Sequence, residues 1–181
     1  MSVQKIIHTP LSDADIHKIL GKDQKLIIYS DLSNYSSLHE LLPGDKDSVV
    51  ILYEQKQLSG HWTCLLKYDD KYEFFDPYGI KSDSELKWVT LKQRSNLHED
   101  TTFLSKLLNN EEYIYNKVDF QQNDSSVETC GSHVSCRLHY FKEHDMNLEQ
   151  YQDFMKRLSK ELHQPYDYIV TDFVSQKLSI Q

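Results

Sequence analysis

Cys130 stands in the run Glu128-Thr129-Cys130-Gly131-Ser132, where the pattern passes from loop to helix. A thiol at a helix start meets the positive end of the backbone dipole, which favours the nucleophilic thiolate. The first amides of a helix have no helical acceptor, so they can face an oxyanion forming on a nearby carbonyl. Gly131 lets a substrate backbone come close. The chemistry open to such a residue is acyl transfer through a thioester. Free cysteines are also common as inert core residues, and position alone leaves Cys130 open between the two. His133, Cys136 and His139 follow Cys130 at steps of three and resemble a zinc string. Such steps turn around a helix, so the ends of the string face opposite sides and one ion cannot reach all four. No metal and no cofactor is expected.

A thiol nucleophile needs a base. His61 lies between Gly60 and Trp62 at the start of a strand-like run, and Asp76 closes a second run. If Asp69-Asp70 form a two-residue turn, Tyr68 pairs with Lys71 and Thr63 with Asp76. His61 then shares a face with Thr63, and Asp76 lies diagonally across on that face, within reach of the imidazole. A three-residue turn would reverse the parity. In the favourable register Asp76 accepts one ring N–H, fixes the tautomer and supports an imidazolium. Before Pro77, Asp76 is also an ordinary turn residue. Gln121 and Gln122 precede Cys130 by nine and eight residues. A side-chain amide there can donate a second hydrogen bond to an oxyanion. Trp62 either shields the histidine from water or fills the core.

These groups must be placed by the surrounding elements. Ser12 to Leu20 reads as a helix, capped by Ser12, with Asp13 and Asp15 at its positive end and Gly21 as its stop. Lys25 to Tyr29 and Ser48 to Tyr53 read as strands, the second buried. His61 to Tyr68 and Tyr72 to Asp76 form the hairpin. Thr101 to Leu108 is expected as a helix and Glu112 to Phe120 as a strand. From Gly131 the pattern is helical, with Val134, Leu138 and Phe141 on one stripe. Asn147 and Gln150 make a capping box for a helix whose apolar face carries Leu148, Tyr151, Met155, Leu158 and Leu162. Tyr166 to Val174 is expected as a last strand. The fold class is α+β: a central mixed sheet flanked by helices, with the nucleophile at the N-terminus of a buried helix.

The 181 residues suit one domain. Three unevenly spaced cysteines, Cys64, Cys130 and Cys136, make no disulfide framework. No apolar run is long enough to span a bilayer, and the first residues lack a signal-peptide core. The net charge of −8, with pI about 5.5, disfavours phosphate backbones as partners.

Gly60-His61-Trp62, Phe74-Phe75-Asp76-Pro77-Tyr78-Gly79, Gln121-Gln122 and Thr129-Cys130-Gly131, in this order, resemble the adenovirus-type maturation cysteine proteases. The same clan contains the ubiquitin-like-protein proteases that cleave SUMO. The resemblance covers about residues 48 to 141, and its acid-Pro-aromatic-Gly run is nearer the viral branch. It implies a papain-like, adenain-like fold in which residues 1–181 form a single cysteine protease domain. The His/Asp part is about 48–80 and the Gln/Cys part about 112–144. It implies His61 as base, Asp76 as its orienting acid, Cys130 as nucleophile, and Gln122 or Gln121 in the oxyanion hole. It further implies a monomeric endopeptidase of a virus or virophage that processes capsid or core precursors after small or Gly residues. Such an enzyme works in the virion or the host cytoplasm, without a membrane. The glutamine–cysteine interval is longer here than in the family, which leaves the two glutamines open. The acidic charge argues against carrying over the adenovirus enzyme's dependence on DNA. The alternatives are a SUMO- or ubiquitin-type isopeptidase on the same residues, or a non-catalytic capsid-binding protein of the same fold.

Overall fold

The computed structural model describes residues 6–68, 71–109, 111–124 and 126–179. In chain order its elements are α1 (Asp13–Leu20), β1 (Lys25–Ile28), α2 (Leu38–Leu41), β2 (Ser48–Lys56), β3 (Ser59–Tyr68) and β4 (Lys71–Phe75). Then come α3 (Leu91–Asn96), α4 (Phe103–Leu107), β5 (Tyr113–Tyr115), α5 (Cys130–His144), α6 (Leu148–Leu162) and α7 (Tyr166–Ser179). Two short 3₁₀ turns, Tyr29–Asn34 and Glu85–Trp88, complete the set. The chain is α+β, with one five-stranded mixed sheet. It divides into a sheet unit, Lys25–Asp76 with Ile80–Asn116, and a helical unit, Met1–Gln24 with Pro77–Gly79 and Lys117–Gln181.

In the sheet unit the strands lie in sequence order, β1 to β5. The outer pairs β1–β2 and β4–β5 are parallel, and β2–β3–β4 is antiparallel. Val49, Val50, Ile51 and Leu52 are all buried, so β2 carries apolar side chains on both faces, as its unbroken apolar run requires. Val49, Ile51 and Tyr53 share one face and meet Leu65, Phe74, Leu86 and Leu104 in a continuous core. Tyr29 stacks on Tyr53, ring centroids 4.3 Å apart. Both hydroxyls donate to Asp83 Oδ1, at 2.6 and 3.1 Å, and Asp83 Oδ2 accepts from the Ser105 amide at 2.8 Å. This carboxylate ties down the loop that leads into the Glu85–Trp88 turn. The β2–β3 ladder shifts register between Glu54 and Lys56, beside Gly60. A Cβ on Gly60 would lie 1.9 Å from the Tyr53 carbonyl oxygen, so only glycine permits this approach of the two strands.

In the helical unit α5 packs against α7 and α1, and α7 also packs on α6. The predicted caps are present: Ser12 at α1, which also forms a capping box with Asp15, and the box of Asn147 with Gln150 at α6. Val134, Leu138 and Phe141 are buried with Tyr151, Met155, Val170 and Val174. The apolar stripe of α6 fades at its end, where Leu162 is exposed.

Two expectations are corrected. Tyr166 to Val174 is helical, within α7. Its buried residues Asp167, Val170, Thr171 and Val174 follow a period of three to four, and Pro165 suits the start of a helix. The strand expected over Glu112 to Phe120 is confined to Tyr113–Tyr115, because the Asn116 side chain turns to bond the Asp76 backbone. Among the described residues no helix is long and apolar enough to cross a membrane.

Candidate active site

In the sheet unit β3 pairs with β4 from Tyr68↔Lys71 to Cys64↔Phe75. That is the register of a two-residue turn, although Asp69 and Asp70 lie outside the described residues. Continued one step, it sets Asp76 opposite Thr63 and diagonal to His61. The His61 Nε2–Asp76 Oδ1 distance is 3.0 Å. Neither side chain is open to water, at 4% and 0% exposure. Asp76 is fixed from behind by Asn116, whose Oδ1 accepts from the Asp76 amide at 2.9 Å and whose Nδ2 donates to its carbonyl at 2.6 Å. The carboxylate thus holds the imidazole by its Nε2 edge.

Two further residues stand at this histidine. The Trp88 ring meets the imidazole edge-on, with centroids 5.6 Å apart. Trp62 is buried one position along β3 from His61 and so projects to the opposite face. Glu85, at 2% exposure, brings its carboxyl to His61 and Asp76; one donor atom from each of the three lies within 4.8 Å of the others. Burial, reinforced by the neighbouring Asp76 carboxylate, pushes the Glu85 carboxyl well above the usual range, against the opposing effect of His61. Neither residue carries a sequence signal. They lie on a short turn without periodicity, and the only hint is a glutamate set among Leu and Trp.

In the helical unit Cys130 is the first residue of α5, a free thiol at 4% exposure. The N-cap residue Thr129 does not cap the helix: its hydroxyl donates instead to Asp167 Oδ1 on α7. The α5 start therefore keeps its amides clear of the N-cap side chain. Asp167 Oδ1 also accepts from His133 Nε2 at 3.0 Å, and Oδ2 from the Gln122 amide at 3.0 Å. This second His–Asp pair is buried, with His133 at 0% exposure, and it ties α5 to α7. Gln121 is buried and donates to the Tyr78 hydroxyl and the Val127 carbonyl, both at 3.1 Å. Gln122 is exposed. The other two thiols are less suited to chemistry. Cys64 is buried in β3, and burial pushes Cys136 up to about 12.

The sheet unit thus holds a carboxylate-bound histidine, and the helical unit a free cysteine opening a helix without a side-chain cap. The chain belongs to the family of protein V9 of Sputnik virophage, an uncharacterized protein, with 34% identity over 131 residues, 71% of this chain and 74% of V9. No protein-family model matches. Among solved structures, the chain is similar to SUMO protease Ulp1 with its catalytic cysteine oxidized to a sulfinic acid. That match has a TM-score of 0.43 and 13% identity, over 95% of this chain and 82% of that one.

Proposed function

We propose that this chain is a cysteine endopeptidase, with Cys130 as nucleophile, His61 as general base and Asp76 as the acid that orients it. The observation that carries this reading is the buried His61–Asp76 hydrogen bond, the contact by which a carboxylate orients an imidazole base. In the reaction His61 takes the Cys130 proton, and Sγ attacks the scissile carbonyl carbon. The oxyanion is held by the Cys130 backbone N–H and the Gln121 amide, which exchanges its Tyr78 bond for the new acceptor. Collapse breaks the C–N bond, and the departing amine takes the proton from His61. Water, deprotonated by His61, then hydrolyses the thioester and restores the thiol. Gln121 is assigned over Gln122 because it is buried and held, whereas Gln122 is exposed and contributes its backbone N–H to Asp167.

The substrates in this reading are capsid or core precursors cut after small or glycine residues during virion maturation. Kinship with a virophage protein supports that setting. A panel of glycine-containing capsid peptides and of SUMO or ubiquitin conjugates separates processing from isopeptidase activity, with hydrolysis expected on the peptides. A peptide-based thiol-reactive probe is expected to label Cys130 in the wild type. His61→Ala should slow labelling by roughly 10²–10⁴-fold, and Cys130→Ala should abolish it. Labelling that survives Cys130→Ala and maps to Cys64 or Cys136 would sink the assignment.

A further inference from the structure

The mechanism above leaves one buried ionisable group at the histidine unused. Among the described residues no N–H or O–H group of another residue donates to either Glu85 carboxyl oxygen, although both are buried; only its own backbone amide lends support. A carboxylate in that state lacks the donors that normally offset lost hydration. Its neighbour is a second carboxyl, Asp76, within the 4.8 Å grouping that includes His61. Two carboxylates so close in a dry site cannot both stay ionised, and one proton between them removes the repulsion and supplies the missing bond. Asp76 is the partner that keeps its charge, because it faces the His61 N–H.

We propose that Glu85 is a positioning residue for the peptidase reaction: its carboxyl O–H donates to Asp76, which is thereby gripped between Glu85 and His61. The inference rests on the peptidase reading only for its effect on rate; the shared proton is a property of the fold. Asp76 then presents one fixed acceptor to Nε2, and the site carries a single negative charge to stabilise the imidazolium. A second, ionised carboxylate would instead pull the imidazole toward itself and hold the His61 proton too tightly for release to the leaving amine. The other titratable groups facing this site are Tyr53 and Glu54 from β2 and Glu99 from the segment after α3. Burial raises Tyr53 further from ionisation. Glu99, raised by burial to about 7, is the carboxyl expected to titrate near neutrality. A carboxyl proton that persists above that pH and is lost in Glu85→Gln is assigned to the Glu85–Asp76 pair.

The test uses the full chain and two readouts. Infrared spectroscopy of Cys130→Ala protein at pH 8 reads the stretching band of a protonated carboxyl, independent of turnover. The band is expected there and is expected to vanish when Glu85→Gln is added. In parallel, Glu85→Gln, which keeps a donor to Asp76, should retain kcat within about threefold. Glu85→Ala should lose about tenfold or more in kcat with KM little changed. Absence of a band that Glu85→Gln removes overturns the inference. So does equal impairment of the Gln and Ala variants, which would mean that a charged carboxylate, such as a metal ligand, is what the site needs. If Glu85→Ala fails to fold, the band and the kcat of Glu85→Gln still decide. A band without any peptidase activity would leave the shared proton standing and sink the proposed reaction.

Discussion

At the scale of single residues, the pairing of His61 with Asp76 sets what the imidazole can do. Nε2 is bonded to a carboxylate that Asn116 fixes through its backbone, which orients the ring. Asp76→Ala removes that hold and leaves the proposed nucleophile, Cys130, in the sequence. The variant is expected to lose roughly 10²-fold in kcat with KM little moved, as read by steady-state hydrolysis of whichever panel substrate the wild type cleaves. A loss carried wholly by KM would mean that Asp76 binds substrate instead. How far this site was legible follows from where its residues lie. His61 and Asp76 sit on strands, whose period of two makes facing residues computable once a turn length is assumed. Cys130 sits at a change of pattern. Glu85 and Trp88 sit on a 3₁₀ turn held by Asp83 and two tyrosines. Such a position depends on contacts 30 and 54 residues away in sequence, which no local pattern encodes.

At the scale of elements, the Asp167 carboxylate joins three segments: the N-cap of α5 through Thr129, the first turn of α5 through His133, and the glutamine loop through the Gln122 amide. Burial alone would raise this carboxyl, but the His133 hydrogen bond and charge, with the Thr129 and Gln122 bonds, outweigh it and leave it lowered. A carboxyl held below its unfolded value of about 3.9 adds stability above that pH and loses it as pH falls through the folded value. Asp167→Asn is therefore expected to lower stability at pH 7, by about 3–5 kcal/mol if the pair behaves as a broken buried ion pair. The gap to wild type should narrow below about pH 4. Denaturant midpoints at pH 7 and pH 3 check both, and a gap independent of pH would refute the role. The same helix explains why α7 was read as a strand. Tyr, Ile, Val and Phe dominate it and favour strands by propensity, yet the buried Asp167, Val170, Thr171 and Val174 form a helical stripe against α5. Tertiary packing overrode propensity there, whereas α1 and α6 carried explicit caps and were legible from end to end.

At the scale of the whole molecule, charge is the governing property. A net charge of −8 over 181 residues repels polyanions, and the screening length of about 8 Å at physiological salt does not reverse the sign. The proposed activity is expected to be indifferent to double-stranded DNA, with no mobility shift and no rise in kcat on its addition. Stimulation that weakens as salt is raised would contradict this. The α+β class was legible because strand-like and helix-like patterns separate along the chain. The division into two units was not, since Pro77–Gly79 belongs with the helices although it directly follows a strand. The hydroxyl of Thr129 carries a last consequence. An N-cap side chain ordinarily adds about 0.5–2 kcal/mol to its helix, and here it is turned away toward Asp167. Turning a side chain at position 129 back onto α5 would give up the Asp167 bond and, in the proposed reaction, occupy the seat of the substrate's oxyanion. A lineage pressed for endurance and one pressed for speed would then both keep the threonine, each for its own reason.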